Sequence, residues 1–147
     1  MCHSAWVKRV VLDTCVVVSA FRSRNGASFQ LMRLVADRKL VPLATPALFL
    51  EYEDVLKRSD QRQASGLSLD QIDALLAALA VVVEPVDIRF GWRPLLSDPK
   101  DEMVVEAAVN GRADALVTHN IEDFATAASR FGLVLMRPGI ALQRMRQ

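Results

Sequence analysis

Cysteine is almost missing from this chain of 147 residues, which has only Cys2 and Cys15. The pair shows neither a metal-ligand spacing nor a disulfide framework. Cys15, set in an apolar run, reads as a reduced and packed thiol, and a reducing cytoplasm is the matching compartment. An excess of charge is missing too. Eighteen Lys and Arg against 17 Asp and Glu leave a net charge of +1, which gives no bulk attraction to nucleic acid. Any polyanion must therefore be gripped by a local patch, for which Arg22 with Arg24, or Lys57, Arg58 and Arg62, are the candidates. Long apolar runs are absent as well. The longest block, Ala74 to Val83, is well short of a membrane span, so no membrane partner is expected. Asp13 interrupts the only apolar stretch that could serve as a signal-peptide core, and no small-residue cleavage site follows it convincingly. Six glycines and six prolines against 52% apolar residues exclude a disordered chain. The length fits one domain, 1–147, with room for a real core but not for two.

What is present is organised around Val10-Val11-Leu12-Asp13-Thr14, a short apolar run that ends abruptly in a carboxylate. The run is rich in Val and lacks a 3.6-residue period, as expected of a strand buried on both faces of a parallel sheet. Asp13 then falls at the carboxyl end of that strand, where open α/β sheets bind ligands. Taken alone it reads more simply as a turn or N-cap aspartate, and the company of Glu51 and Asp101 is what shifts the balance.

The pattern beyond Asp13 alternates. Val16 to Phe21 continues apolar and Arg22 to Gly26 is a polar loop. Ala27 to Ala36 suits an amphipathic helix. Leu40 to Ala44 is a second strand-like run, in which Pro42 argues against a central position. Ser59 to Gly66 reads as a polar connection. Ser68 with Gln71 forms a capping box that opens a helix to about Ala80, with Ile72, Leu75, Leu76 and Leu79 inward. Val81 to Val83 is a β-branched run, Val86 to Leu96 an irregular loop, and Ala115 to Thr118 a strand leading into His119 and Asn120. Ile121 to Arg130 reads as a helix stopped by Gly132, Val134 to Met136 as a last strand, and Ile140 to Met145 as a terminal helical turn or two. Alternating β and α units with right-handed crossovers predict a central, mostly parallel sheet covered on both faces.

Two helices place acids where surface residues do not belong. From Pro46 to Arg58, capped by Thr45, the stripe Leu48, Tyr52 and Val55 includes Glu51, whereas Glu53 and Asp54 are each followed four residues later by a cation on a solvated face. An inward carboxylate is costly unless it is paired, protonated or metal-bound; the alternative is a Glu at the stripe edge reaching to water. Asp98 and Pro99 start the other helix, on which Asp101 shares a face with Val104, Val105 and Ala108 while Glu102 and Glu106 point elsewhere. Asp101 can also be read as a first-turn acid complementing the helix dipole. Asn110-Gly111 ends this helix.

In this order, Leu12-Asp13-Thr14, Glu51 in a mid-chain helix, Asp98-Pro99-Lys100-Asp101-Glu102 and Val117-Thr118-His119-Asn120 resemble the PIN domain. They are especially similar to the VapC-like bacterial and archaeal PIN proteins that act as toxins in toxin–antitoxin pairs. The resemblance runs from Val10 to about Pro138. It implies an α/β/α sandwich and a cluster of acids that binds Mg2+ or Mn2+ and cuts RNA. It also implies a cognate antitoxin whose peptide covers the cleft, and a homodimer that could supply basic surface. Asp13, Glu51 and Asp101 match the main acidic positions. Asn120 stands where the family often has aspartate, keeping a ligand oxygen without the charge, and Asp123 is then a possible further contributor. Thr118 matches the usual small hydroxyl residue and Thr14 supports Asp13. Cys15 replaces an asparagine or serine.

The chemistry agrees with that implication: Mg2+ and Mn2+ prefer oxygen ligands and are commonly held by one or two carboxylates plus substrate phosphate. Without metal, inward acids repel, so one or more should take up protons and the protein should be less stable at neutral pH. His119 is readable as a general base or, more simply, as a loop or packing residue, and His3 is the other histidine. Trp6, Trp92 and Tyr52 offer few surfaces for base stacking. Two other functions stay open. One is a catalytically weak RNA-binding or regulatory module, consistent with Asn120 and Cys15. The other is a phosphatase with Asp13 as nucleophile, against which Cys15 occupies the place of the usual second aspartate.

Overall fold

The computed structural model describes residues 7–92, 94 and 96–145, so Cys2, His3 and Trp6 lie outside the described residues. Five strands form one parallel sheet in the order β3-β2-β1-β4-β5, with β1 at Arg9–Leu12, β2 at Val41–Ala44, β3 at Glu84–Pro85, β4 at Ala115–Val117 and β5 at Leu135–Met136. Among the described residues eight helices cover the sheet in an α/β/α sandwich. They are α1 (Thr14–Arg22), α2 (Ala27–Ala36), α3 (Pro46–Lys57), α4 (Ser59–Ser65), α5 (Leu69–Val82), α6 (Pro99–Gly111), α7 (Ala125–Phe131) and α8 (Pro138–Met145), with a 3-10 turn at Ile121–Phe124. The all-Val-and-Leu centre of β1 is inaccessible on both faces, Val10 and Val11 at 0% exposure, as its lack of periodicity requires. From β1 the chain moves out to β2 and β3 on one side, then returns to β4 and β5 on the other. The crevice between the ends of β1 and β4 is therefore the switch point at which such sheets take ligands.

Pro42 is not at an edge: it sits opposite Val10 in the interior strand β2. The Val41 N–H donates to Lys8 O, so the alternation of a parallel strand turns the Pro42 nitrogen the other way. On that side β3 begins only opposite Leu43, and no ladder bond is lost. Val81 and Val82 belong to α5, and the strand lies just after them at Glu84–Pro85, where the short sheet edge tolerates proline. The helix carries its capping box at Ser68 and Gln71 and runs past Ala80, leaving Val81 on solvent, so helical continuation overrides the β-branched preference. Leu75 is only half-buried. Residues 59–65 form α4 instead of an irregular connection. With no buried residue, α4 has no apolar period to reveal it, and it stops where Gly66 takes φ 74°. The apolar stretch after Asp13 is α1, helical despite its three valines because it packs against α2 and α3.

Gly111 lies inside α6, and the residue that turns left-handed is Arg112 at φ 51°. Glycine is needed at 111 for packing: a Cβ there would come within 2.9 Å of Val86 Cγ2 and 3.1 Å of Leu43 Cδ1. Gly111→Ala should therefore lower stability by about 1–3 kcal/mol, against the usual gain from alanine in a helix. Urea unfolding of the two proteins measures the difference, and a more stable alanine variant would contradict this packing argument.

Candidate active site

The candidate acids converge on one pocket at the carboxyl ends of β1 and β4. Asp13, Glu51, Asp101 and Asn120 all line it, together with Thr14 and Cys15. Four separate segments supply these side chains, and each is positioned by its own local geometry.

Asp13 follows β1 directly and occupies the N-cap position of α1, but its side chain makes no capping bond. It is buried, with 6% exposure, and Oδ2 accepts from Thr118 Oγ1 at 2.7 Å and from Cys15 Sγ at 3.2 Å. Thr118, fully buried at the end of β4, also accepts from the Asn120 N–H at 2.9 Å. One hydroxyl thus ties the exits of the two strands together and fixes the Asp13 carboxylate. The N-cap alternative is not how this side chain is used. Cys15 stands in for the missing polar neighbour as a thiol donor. Its pKa is pushed up to about 11, first by burial and then by the Asp13 charge, so it remains a protonated thiol at neutral pH. Asn120 Nδ2 lies 3.9 Å from the same sulfur.

Glu51 is buried on α3, in line with Leu48 and Tyr52, and it opens into the pocket. Its Oε2 is 3.6 Å from Lys100 Nζ. The solvated face of the same helix behaves as its spacing predicts, with Lys57 on Glu53 and Arg58 on Asp54. Tyr52, which is buried, donates to Leu12 O at the end of β1. It therefore locks α3 to the strand beneath Asp13 and is not available for base stacking.

Asp98 caps α6 through the Lys100 N–H at 2.9 Å, with Pro99 at the first helical position. Asp101 lies in the first turn and reaches the pocket, half-buried. Glu102 is more deeply buried and does not line the pocket, against the expectation that it points away from the face that carries Asp101. The cause is the width of the α6 core face: Val104, Val105, Ala107 and Ala108 are all buried, so the position three before Val105 is covered too. Partial burial pushes the Asp101 pKa up to about 6, helped by the charges of Asp98, Asp13, Asp123 and Glu102.

Of the remaining candidates, Asp123 is exposed and outside the pocket, acting on it only through its charge. Arg22 lines the pocket and bonds Gln61 Oε1, whereas Arg24 is exposed and stands away from it. Arg58 is at the rim; Lys57 is drawn off by Glu53 and Asp73, and neither it nor Arg62 lines the pocket. His119 turns out of the acidic pocket toward Ser28. Trp92 packs on Phe131, ring centroids 4.7 Å apart. Sequence reasoning missed Lys100, Gln61 and Ser19 as lining residues. Lys100 was legible inside Asp98-Pro99-Lys100-Asp101, but the other two lie on helices whose polar faces carry no such signal.

As a donor set, Asp13, Glu51, Asp101 and Asn120 offer hard oxygens, which suit Mg2+ or Mn2+. Their chemistry fits such an ion. Their spacing is open, since among the described residues no three Asp, Glu, His or Cys side chains are close enough together to hold one as they stand. A hard cation would have to draw the carboxylates inward, which the burial of Asp101 and its repulsion by Asp98 and Asp13 oppose until the cation is present.

A family profile described as the PIN domain matches residues 9–122. The chain belongs to the PIN-domain family, whose fold is typically that of a nuclease and whose nucleases generally use divalent metals. No curated protein matches the chain. No single helix among the described residues is long and apolar enough to cross a membrane.

Proposed function

We propose that the chain is an Mg2+- or Mn2+-dependent endoribonuclease and the toxin of a toxin–antitoxin pair. The observation that carries the nuclease part is the convergence of Asp13, Glu51, Asp101 and Asn120 from four segments on one pocket at the sheet switch point. Family membership supports the same part. The toxin role rests on the resemblance of the motifs.

Bound in this pocket, a divalent ion would activate a water molecule and neutralise charge on the phosphodiester. Asp13, Glu51 and Asp101 would hold it, with Asn120 giving a neutral oxygen and Asp123 adding negative potential from outside. Thr118 and Cys15 keep Asp13 in one orientation, and Thr14 shapes the wall beside it. Lys100, at the pocket mouth, offsets part of the Glu51 charge. Arg22 and Arg58 offer cations to the substrate backbone at the rim, and a homodimer would extend that basic surface. The fit of an acidic cleft to an antitoxin peptide lies in its flanking cations and its open rim.

A second reading has its own support. The open donor spacing, the Lys100 ammonium beside Glu51 and the neutral Asn120 favour a module that binds RNA without cutting it. Incubating the purified chain with a mixed RNA panel in Mn2+, Mg2+ or EDTA separates the two. Metal-dependent fragments support the nuclease, and binding without fragments supports the module. Induced expression in a bacterial host tests the toxin role. Growth arrest relieved by the product of a neighbouring gene is the expected result, and unhindered growth by an RNA-cutting protein would remove it.

A further inference from the structure

A second cavity neighbours the acidic pocket: Ser19 lines both, and no carboxylate lines the second. His119 and Arg137 border it. The Arg137 Nη1 donates to His119 O at 3.0 Å, a bond that uses one of the five guanidinium donors. Among the described residues no carboxylate forms an ion pair with Arg137. The Ser28 hydroxyl, 2% exposed, is 3.4 Å from His119 Nε2 and steadies the ring from the other side. Two helices also begin here, α2 after Gly26, which has no side chain with which to cap it, and α8 at Pro138. Their first-turn N–H groups and dipoles add to a positive potential already set by the guanidinium.

This arrangement adds to what the charge of the chain provides. At a net charge of +1, with the four acids of the first pocket set against only Arg22, Arg58 and Lys100, a polyanion gains from a further cation placed beside the acids. We infer that this cavity is a phosphate subsite. Its occupant is the single-stranded RNA backbone phosphate adjacent to the one presented to Asp13 and Asp101, an identity that rests on the nuclease reading above. Arg137 is the anchor, Ser28 and His119 are polar partners, and Gln143 on α8 completes the wall.

The test uses the full chain, Arg137→Gln and Gln143→Glu, both changes being at exposed positions, with folding checked by circular dichroism. In the first arm inorganic phosphate is titrated while the amide signals of Ser28, His119 and Gly139 are followed by NMR. Saturable shifts are expected in the wild type, weakened roughly tenfold or lost in both variants. Absent shifts, or shifts unchanged in both variants, overturn the subsite. In the second arm RNA binding is measured in EDTA across salt concentrations. Arg137→Gln should reduce the slope of log affinity on log salt by about 0.7. A single neutral methylphosphonate at the adjacent linkage should weaken the wild type but not the variant. If phosphate binds but RNA affinity ignores both changes, the occupant is free phosphate and the RNA assignment is overturned. If the wild type neither binds nor cuts RNA while phosphate still depends on Arg137, the subsite is upheld and the nuclease reading is what fails.

Discussion

Asp101→Asn should cripple RNA cleavage and at the same time raise the melting temperature of the metal-free protein at neutral pH. The two effects have one cause. Asp101 is partly buried at the pocket beside Asp98, Asp13, Asp123 and Glu102, and its carboxyl resists ionisation until about pH 6. At pH 7.5 the folded protein therefore carries an anion that its surroundings disfavour, and asparagine removes that burden with almost no change of shape. The same substitution removes a charged oxygen from the set proposed to hold the ion, and a loss of activity on the order of a hundredfold or more is expected. The stability difference has its own pH signature. A carboxyl whose folded-state pKa is raised contributes stability that is fully present below its ordinary value of 3.8 and is lost as pH rises through about 6. Melting curves of the two proteins should converge near pH 4 and separate by a few degrees above pH 7. A variant that is inactive and also less stable at pH 7.5 would show that Asp101 is structural, and an active one would remove it from the reaction.

Mn2+ should stabilise the wild type strongly, and the stabilisation should fade as pH drops. An ion that binds only the folded protein adds about 2.7 kcal/mol at a hundred times its dissociation constant, an upward shift of about 5–10 °C for a chain of this size. Because the ion must displace the proton from Asp101, its affinity should fall by up to tenfold per pH unit below about 6, with close to one proton released per ion bound in that range. Differential scanning fluorimetry and calorimetry in two buffers of different ionisation enthalpy give both quantities. Asp13→Asn should blunt the shift, because it converts the buried oxygen pair fixed by Thr118 and Cys15 into an amide. A shift of the same size in Asp13→Asn and wild type, or one independent of pH between 5 and 8, would place the ion elsewhere on the protein.

Much of the site was legible in the chain because its acids break local rules. A carboxylate closing an all-apolar run, as at Asp13, or riding on an apolar stripe, as at Glu51, is costly, and such positions stand out at strand and helix periods. The helix starts at Thr45-Pro46, Ser68 and Asp98-Pro99 were legible for a similar reason: capping is a local reaction between a side chain and the N–H groups two or three residues away. Purely local signals failed where packing decided. Three successive valines became helix in α1, Val81 and Val82 extended α5, and α4, polar except for Ala64, had no periodicity by which to be found.

By itself, then, the sequence determined that alternating β and α units would enclose a parallel sheet and that Asp13, Glu51 and Asp101 would be carried inward, because hydrophobic period and capping act over a few residues. It took the folded arrangement to bury Glu102 beside Asp101, to lean Lys100 on Glu51, to have Thr118 bind the exits of two strands to one carboxylate oxygen, and to bring Arg137 to His119 in a cavity of its own. Those relations join residues distant in the chain or on different helical faces, and they are set by strand order and by the width of a helix's contact with the sheet, neither of which any short stretch of sequence encodes.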